Sequence, residues 1–327
     1  MLAEWEHQSM VQLTWPHKDT DWAPILDEIT AVYEEMAREI RKREDLLIVV
    51  PEHLIGDLSP LTSHLLPLTS NDTWARDHGF ITVENSTLST LHSQLRLLDF
   101  KFNGWGEKFE ATLDNQINKH LYDQGLVKGI YEDHLDFVLE GGSIESDGKG
   151  TVFTTECCLM APHRNQPLTK EEIEKRLKEW LGAERIVWLQ HGSLIGDDTD
   201  GHIDTLVRIC PNDTILYTGG DADHPDLAEM EKELQELRTL DGKPYRLLKL
   251  PLPRPIYDGG DRLPATYANY LIVNGAVLAP TYNQPDLDAQ ALRIIGEAFP
   301  DREVVGIDCC AVIKQHGSLH CCTMQYY

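Results

Sequence analysis

Hydrophobic and polar positions along this 327-residue chain switch between a helical and a strand-like period, and the switch recurs. Five stretches with apolar residues at helical spacing and charged residues between them fall at about 20–43, 107–124, 169–181, 224–240 and 285–299. TKEEIEKRLKEWLG and HPDLAEMEKELQELRTL show it best. Thr169 followed by an acidic first turn is a helix-start signal, and Asp21 stands near the start of the first stretch. After each helix comes a short apolar or β-branched run: DLLIVVPE, VKGIYE, RIVWLQ, YRLLKLP and REVVGID.

Hairpins follow these runs. GFITVENSTLSTL, GSIESDGKGTVFTTE, GHIDTLVRICPNDTILYTG and NYLIVNGAVLAP all read strand, turn, strand, with DGKG, PNDT and NG as turns. The fifth copy, GSLHCCTMQYY, holds one strand, and SMVQLTWP near the start of the chain is its expected partner. Asp77, Glu140, His202, Asp258 and Cys321 mark the irregular turns, spaced by roughly sixty residues, the signature of a repeat array. An open array leaves a bare strand edge at each end, and pairing the first strand with the last removes both. The expected architecture is a five-bladed α/β propeller, a single domain over 1–327, with helices outside and turns near the axis. A doubly wound α/β sheet is the alternative.

Composition narrows the function. Apolar content of 41% and charged content of 25% are those of a globular protein. No apolar run approaches the roughly 20 residues of a membrane span. MLAEWEHQSM has neither the basic nor the apolar region of a secretory signal, so the expected location is the cytoplasm. A net charge of −25 argues against nucleic acid and is compatible with a cationic ligand. Six of the seven cysteines stand in adjacent pairs, Cys157-Cys158, Cys309-Cys310 and Cys321-Cys322, which suits neither disulfides nor zinc and points to reduced thiols.

Converging turns would gather Asp77 of NDTWARDHG, Glu140 of LEGGS, His202 and Asp204 of DDTDGHID, and Cys321 of HGSLHCC in one mouth. Each has a plainer reading alone. Asp77 could pair with the neighbouring Arg76, Glu140 could be a turn residue, and the Asp/His-rich segment 197–204 could be a solvated loop or a divalent-metal site. Together, clustered carboxylates raise one another's pKa or demand a cation, and a planar guanidinium fits them best because its N–H fork pairs bidentately with carboxylates. Two residues apart on a strand, His202 and Asp204 would share a face. The guanidinium carbon is a sluggish electrophile, and a thiolate is the soft nucleophile it needs. The thiol would form a covalent adduct, and His202 would protonate departing ammonia and then activate water. No metal or organic cofactor is required. In an extended strand Cys321 and Cys322 face opposite sides, with His320 on the side of Cys322, so strand phase leaves the nucleophile open.

The motifs AEWEHQSMVQLTWPH, NDTWARDHG, DFKFNGWGEKF, LEGGSIESDGKG, APHRNQPLTKEEIE, TDGHIDTLVRI and GSLHCCTMQ, in this order through the whole chain, resemble the agmatine deiminase and bacterial peptidylarginine deiminase-like branch of the guanidino-group-modifying (pentein) superfamily. The resemblance implies the five-bladed α/β propeller. It implies Cys321 as nucleophile, directly after the His of H-C-x-T, and His202 of G-H-I-D as general acid and base. Asp77 of W-x-R-D and Asp204 would grip the guanidinium, Glu140 of L-E-G-G would complete the acidic wall and orient the His, and Trp74, Trp105 and Asn103 would shape the substrate pocket. Cys322 becomes a packing residue. The chain departs from the family pattern at Gln315–Leu319, where a glycine triplet and Asn-Ile are usual, and at Met324, where Gln is usual.

The expected activity is deimination of agmatine to N-carbamoylputrescine and ammonia, suiting a cytosolic polyamine-pathway enzyme. Its partner is a small cationic guanidine, with no nucleic acid or membrane, and a homo-oligomer is compatible with the chain. The alternatives are deimination of peptidyl-arginine, a metal-dependent hydrolase using 197–204, and a non-catalytic binding propeller.

Overall fold

The computed structural model describes residues 1–62, 64–84 and 95–327. Among these residues the strands form five small mixed sheets and one two-stranded ribbon. In four of the sheets a short inner strand pairs antiparallel with a middle strand, which after a helix is joined by a parallel outer strand. These are Ile81–Glu84, Leu95–Lys101 and Ile130–Val138; Ile144–Ser146, Thr151–Thr155 and Arg185–Leu189; Val207–Cys210, Thr214–Thr218 and Arg246–Leu250; and Leu271–Val273, Ala276–Thr281 and Glu303–Asp308. The part of the expected hairpin GFITVENSTLSTL that follows Glu84 lies outside the described residues, but the strands Ile81–Glu84 and Leu95–Lys101 on either side of 85–94 are paired.

The remaining sheet draws on both ends of the chain. Thr323–Tyr326 pairs antiparallel with Met10–Thr14, in register from Met10 opposite Tyr326 to Leu13 opposite Thr323. Asp45–Val50 joins in parallel, and His64–Pro67 adds a fourth strand. Pairing the terminal strands satisfies backbone groups that either edge would otherwise expose. The inner strands Val207–Cys210 and Thr323–Tyr326 are buried at every position, so they hold the turns preceding them firmly in place.

Among the described residues five longer helices connect the strands: α1 Leu26–Arg41, α2 Asp114–Asp123, α3 Lys170–Leu181, α4 Pro225–Glu236 and α5 Pro285–Ala298. Helix α3 shows why. Thr169 accepts from the Glu172 N–H while the Glu172 carboxylate accepts from the Thr169 N–H, a reciprocal cap whose loss costs about 1 kcal/mol. Ile173, Leu177 and Leu181 recur every fourth residue and are buried, and Gly182 ends the helix in the left-handed region at φ 67°. No helix among the described residues is long and apolar enough to cross a membrane.

The structure corrects three local expectations. The second helix begins at Asp114 rather than near 107, because Gly104, Trp105, Gly106 and Glu107 take positive φ and break the helical course. Asp258 is not the fourth of the converging turns: it stands exposed in the ribbon Tyr257–Asp258 and Asp261–Arg262, and Asn269 precedes the inner strand Leu271–Val273 instead. His202 and Asp204 are not on a strand, since Ile203–Thr205 is a single 3-10 turn.

Candidate active site

Each inner strand is preceded by a turn that delivers a polar group to one buried cluster. Asp77 lies on the one-turn helix Ala75–His78, Glu140 precedes the turn Gly141–Ser143, and His202 opens the turn carrying Asp204. Cys321 lies in the turn just before Thr323–Tyr326, not in the extended strand. All five are buried, Cys321 at 5% exposure and Asp77 at 3%. Arg76 does not pair with its neighbour Asp77. It turns the other way, to Glu4 at 3.0 Å, which frees Asp77 for the cluster.

The Cys321 thiol lies 3.7 Å from Asp204 Oδ2 and 3.4 Å from Asn269 Oδ1. His202 Nδ1 is 3.8 Å from Asp77 Oδ1, and its atoms and those of Glu140 and Cys158 come within 4.8 Å of one another. Gly142 makes this convergence fit. Its N–H donates to Asp77 Oδ1 at 3.1 Å, and a Cβ there would stand 2.6 Å from His202 Nδ1 and 3.1 Å from Asp204 Oδ2. Gly142→Ala must therefore push the imidazole aside. Displacement of about 1 Å costs roughly a hundredfold in rate, so kcat/KM of G142A should fall at least that far in an ammonia-release assay, with circular dichroism unchanged.

Several side-chain atoms in the cluster have no hydrogen-bond partner: Glu140 Oε2, Asp204 Oδ1, both ring nitrogens of His202 and Asn269 Nδ2. Their neighbours hold the other atoms of the same groups. Arg164 donates from Nε to Glu140 Oε1 at 2.7 Å, and Asp204 Oδ2 meets His320 Nδ1 at 2.7 Å.

Electrostatics set the protonation. Burial pushes the Asp77 carboxyl up, helped by Asp204 and Glu140, to about 6 despite His202 and the Gly142 N–H. Burial alone would depress the His202 imidazole, but Asp77, Glu140 and Asp204 outweigh it and raise it. For Asp204 burial opposes ionisation, yet the His320 hydrogen bond and charge hold its carboxyl below the usual range. Burial, then Asp204 and Asp77, push the Cys321 thiol well above its ordinary value. Burial also drives Cys322 up to about 12.

The cleft over Cys321 is lined by Trp74, Trp105, Asp198, Thr205 and His316. Trp105 is held in the left-handed region at φ 56°, a strained backbone for a bulky residue. Its indole donates to Asp77 Oδ2 at 3.1 Å and stands edge-on to Trp74, with centroids 6.1 Å apart. Asn103 is one step removed: it accepts from the Gly106 N–H and donates to the His163 carbonyl, holding the Trp105 loop. Across the mouth, His316 Nδ1 meets the Gly196 carbonyl at 2.7 Å.

Segment 197–204 does not gather as metal ligands. Asp197 caps its own loop through Thr199 and Gly201, Asp200 pairs with Lys108 and Arg164, and Asp204 turns to His320. Among the described residues two ligand-type clusters are close enough to share an ion, Glu140–Cys158–His202 and Glu4–Glu145–His320. In both an arginine already sits on a carboxylate, Arg164 in the first and Arg208 in the second.

Residues 1–326 match the model of the Porphyromonas-type peptidyl-arginine deiminase family. The chain belongs to that family. It is 32% identical to an agmatine deiminase of Pseudomonas fluorescens, over 99% of this chain and 94% of that protein. A C. jejuni agmatine deiminase, a cysteine-to-serine form solved with substrate bound, superposes with a TM-score of 0.91 at 35% identity, covering 100% of this chain and 95% of that one. A Porphyromonas gingivalis structure provisionally described as an arginine deiminase gives a TM-score of 0.91 at 50% identity, covering 99% and 97%.

The sequence reading passed over four residues that the structure places at or beside the cluster. Asn269 accepts from the backbone N–H groups of His320 and Cys321, holding the turn that carries Cys321. Arg164 neutralises Glu140, His320 braces Asp204, and Glu4 braces His320. Only His320 carried a local signal, its place before Cys321 in H-C-x-T; the others lie far away in sequence.

Proposed function

We propose that this chain is a single catalytic domain, the five sheets being the blades of a five-bladed α/β propeller, and that it hydrolyses the guanidinium of agmatine to N-carbamoylputrescine and ammonia. The observation that carries the reading is the pair of unpartnered buried carboxylate oxygens, Glu140 Oε2 and Asp204 Oδ1, beside a buried thiol. Leaving such groups unpaired costs about 1–3 kcal/mol each, and a planar cation with several N–H donors pairs with both.

The steps follow from the protonation pattern. The cation offsets the Asp204 and Asp77 charges that hold the Cys321 thiol neutral, and the thiol proton leaves to solvent. The thiolate attacks the guanidinium carbon, forming a C–S bond and a tetrahedral adduct. His202, kept protonated by the surrounding carboxylates, donates to one amino group, which leaves as ammonia as its C–N bond breaks. Neutral His202 then takes a proton from water, the oxygen adds to the thiouronium carbon as hydroxyl, and the C–S bond breaks to give the thiolate and the carbamoyl product as the hydroxyl proton leaves to solvent.

Substrate choice is read at the mouth. The Asp198 carboxylate lines the cleft, where it offers a partner for the ammonium at agmatine's far end, and the His316–Gly196 bond spans the opening. A peptide backbone brings no charge to Asp198 and needs that opening wider. H316G should therefore raise turnover of a short arginine peptide relative to agmatine by about tenfold, since His316 at φ 64° occupies a conformation glycine adopts freely. The deciding assay measures ammonia release from agmatine, arginine and an arginine peptide, with Cys321→Ala in parallel. Cys-dependent release from agmatine supports the reading; Cys-dependent release from the peptide alone moves the activity to protein modification; release that survives Cys321→Ala refutes the thiol mechanism.

A further inference from the structure

The amine-terminal segment enters the axis of the molecule. Glu4 precedes the first strand and belongs to no helix or sheet, yet it is 7% exposed. Its carboxylate meets His320 Nε2 at 2.8 and 3.0 Å, while the opposite ring nitrogen, Nδ1, meets Asp204 Oδ2 at 2.7 Å. An ionised carboxylate only accepts, so an imidazole held between two of them carries hydrogen on both nitrogens. The far side of Glu4 is fixed as well. Arg76 donates to Oε1 at 3.0 Å and Arg208 to Oε2 at 2.5 Å, and Glu145 in turn holds Arg208 at 2.6 Å. Burial opposes ionisation of Glu4, and the charges of His320, Arg76 and Arg208 overcome it.

This line of charge ends at the cluster. Asp204 gives Oδ2 to His320 and leaves Oδ1 unpartnered. We propose that Glu4 is a positioning residue that acts through His320, keeping its ring doubly hydrogen-bonded so that Asp204 is locked and charged with its second oxygen toward the guanidinium. The proposal rests on the deiminase reading only in taking Asp204 as a guanidinium-binding group. A segment remote in sequence from every other site residue thereby belongs to the substrate-binding machinery.

The groups facing His320 are Asp204 from the 3-10 turn and Glu4 from the amine-terminal segment, with Glu145 close behind. With Glu4 neutralised, the ring can hold a single hydrogen and Asp204 loses an adjacent positive charge. Asp77, pushed up to about 6, sets the acid limb of kcat/KM, whereas Asp204 is held below the usual carboxylate range and stays ionised at neutral pH. The E4Q effect is therefore read in KM at neutral pH, where the Asp204 oxygen facing the guanidinium is no longer held in place.

The test is steady-state kinetics on agmatine for wild type, E4Q, H320Q and E4Q/H320Q. The expected result at neutral pH is a KM about tenfold higher in E4Q, the equivalent of about 1.4 kcal/mol of lost binding, with kcat changed less than threefold. In the H320Q background the E4Q effect on KM should vanish, since the path is cut. An unchanged KM in E4Q, or an E4Q effect of the same size with His320 replaced, overturns the proposal. A loss of melting temperature with KM unmoved also overturns it, leaving Glu4 a structural residue. Should wild type turn over no guanidine, the substrate reading fails separately, and ¹⁵N-histidine NMR at pH 6 decides this one. Two ring N–H signals for His320 in wild type and one in E4Q support it; two in both overturn it.

Discussion

Cys321→Ala should lower agmatine turnover by about ten-thousandfold or more, the scale seen when a nucleophile is removed from a covalent mechanism. The fold should survive. The substitution removes one sulfur atom whose neighbours are Asp204 and Asn269, and the turn around it is held by backbone bonds: the Cys321 carbonyl accepts from the Arg76 N–H at 3.2 Å, and the Thr323 N–H donates to the His320 carbonyl at 3.1 Å. Substrate affinity should persist in C321A, because the carboxylates that pair with the cation are untouched, and a melt with saturating agmatine should still show stabilisation by linkage. That combination separates loss of chemistry from loss of the site. Cys322→Ala is the control. Its thiol is fully buried and held protonated, so the variant should keep turnover within a few-fold while losing stability.

How far the chain announces this site is clear from particular residues. The helix at Lys170–Leu181 is legible because its cap, apolar spacing and closing glycine all agree. The hairpin at Leu271–Val273 and Ala276–Thr281 is legible from its Asn-Gly turn. The pairing of Met10–Thr14 with Thr323–Tyr326 followed from a missing strand at one end and a spare one at the other. Asp258 was misplaced because the exposed ribbon at Tyr257–Arg262 interrupts the spacing, and a period measured along the chain cannot tell an insertion from a repeat. His202 and Asp204 do meet one cluster, but through a 3-10 turn and not through strand alternation. Arg164, Asn269 and Glu4 stayed hidden because their roles exist only across long sequence separations. Glu4 and His320 are brought together by packing in the buried cluster, where no local propensity acts.

Asp204→Asn should produce two effects of opposite sign. Removing one partner from a buried, hydrogen-bonded charge pair costs about 3–5 kcal/mol, so kcat/KM for agmatine should fall by roughly a hundred- to several-thousandfold. Both interactions of the side chain contribute: the guanidinium loses an anionic partner at Oδ1, and the His320 ring loses the carboxylate at Oδ2. The thiol should respond in the other direction. After burial, Asp204 is the largest influence holding the Cys321 proton in place, so its neutralisation lowers the pH at which the thiolate forms. Alkylation of Cys321 by iodoacetamide at pH 7, followed by mass spectrometry of the C-terminal peptide, should therefore run faster in D204N than in wild type. Exposed Cys157 serves as the internal reference. A variant that had merely loosened its fold would also expose Cys322 and Cys309, both fully buried, to the reagent. Faster labelling confined to Cys321, together with collapsed turnover, would mean that one carboxylate both binds the cation and keeps the nucleophile protonated until the cation arrives. Slower or unchanged labelling would sink that coupling and require another group to hold the thiol proton.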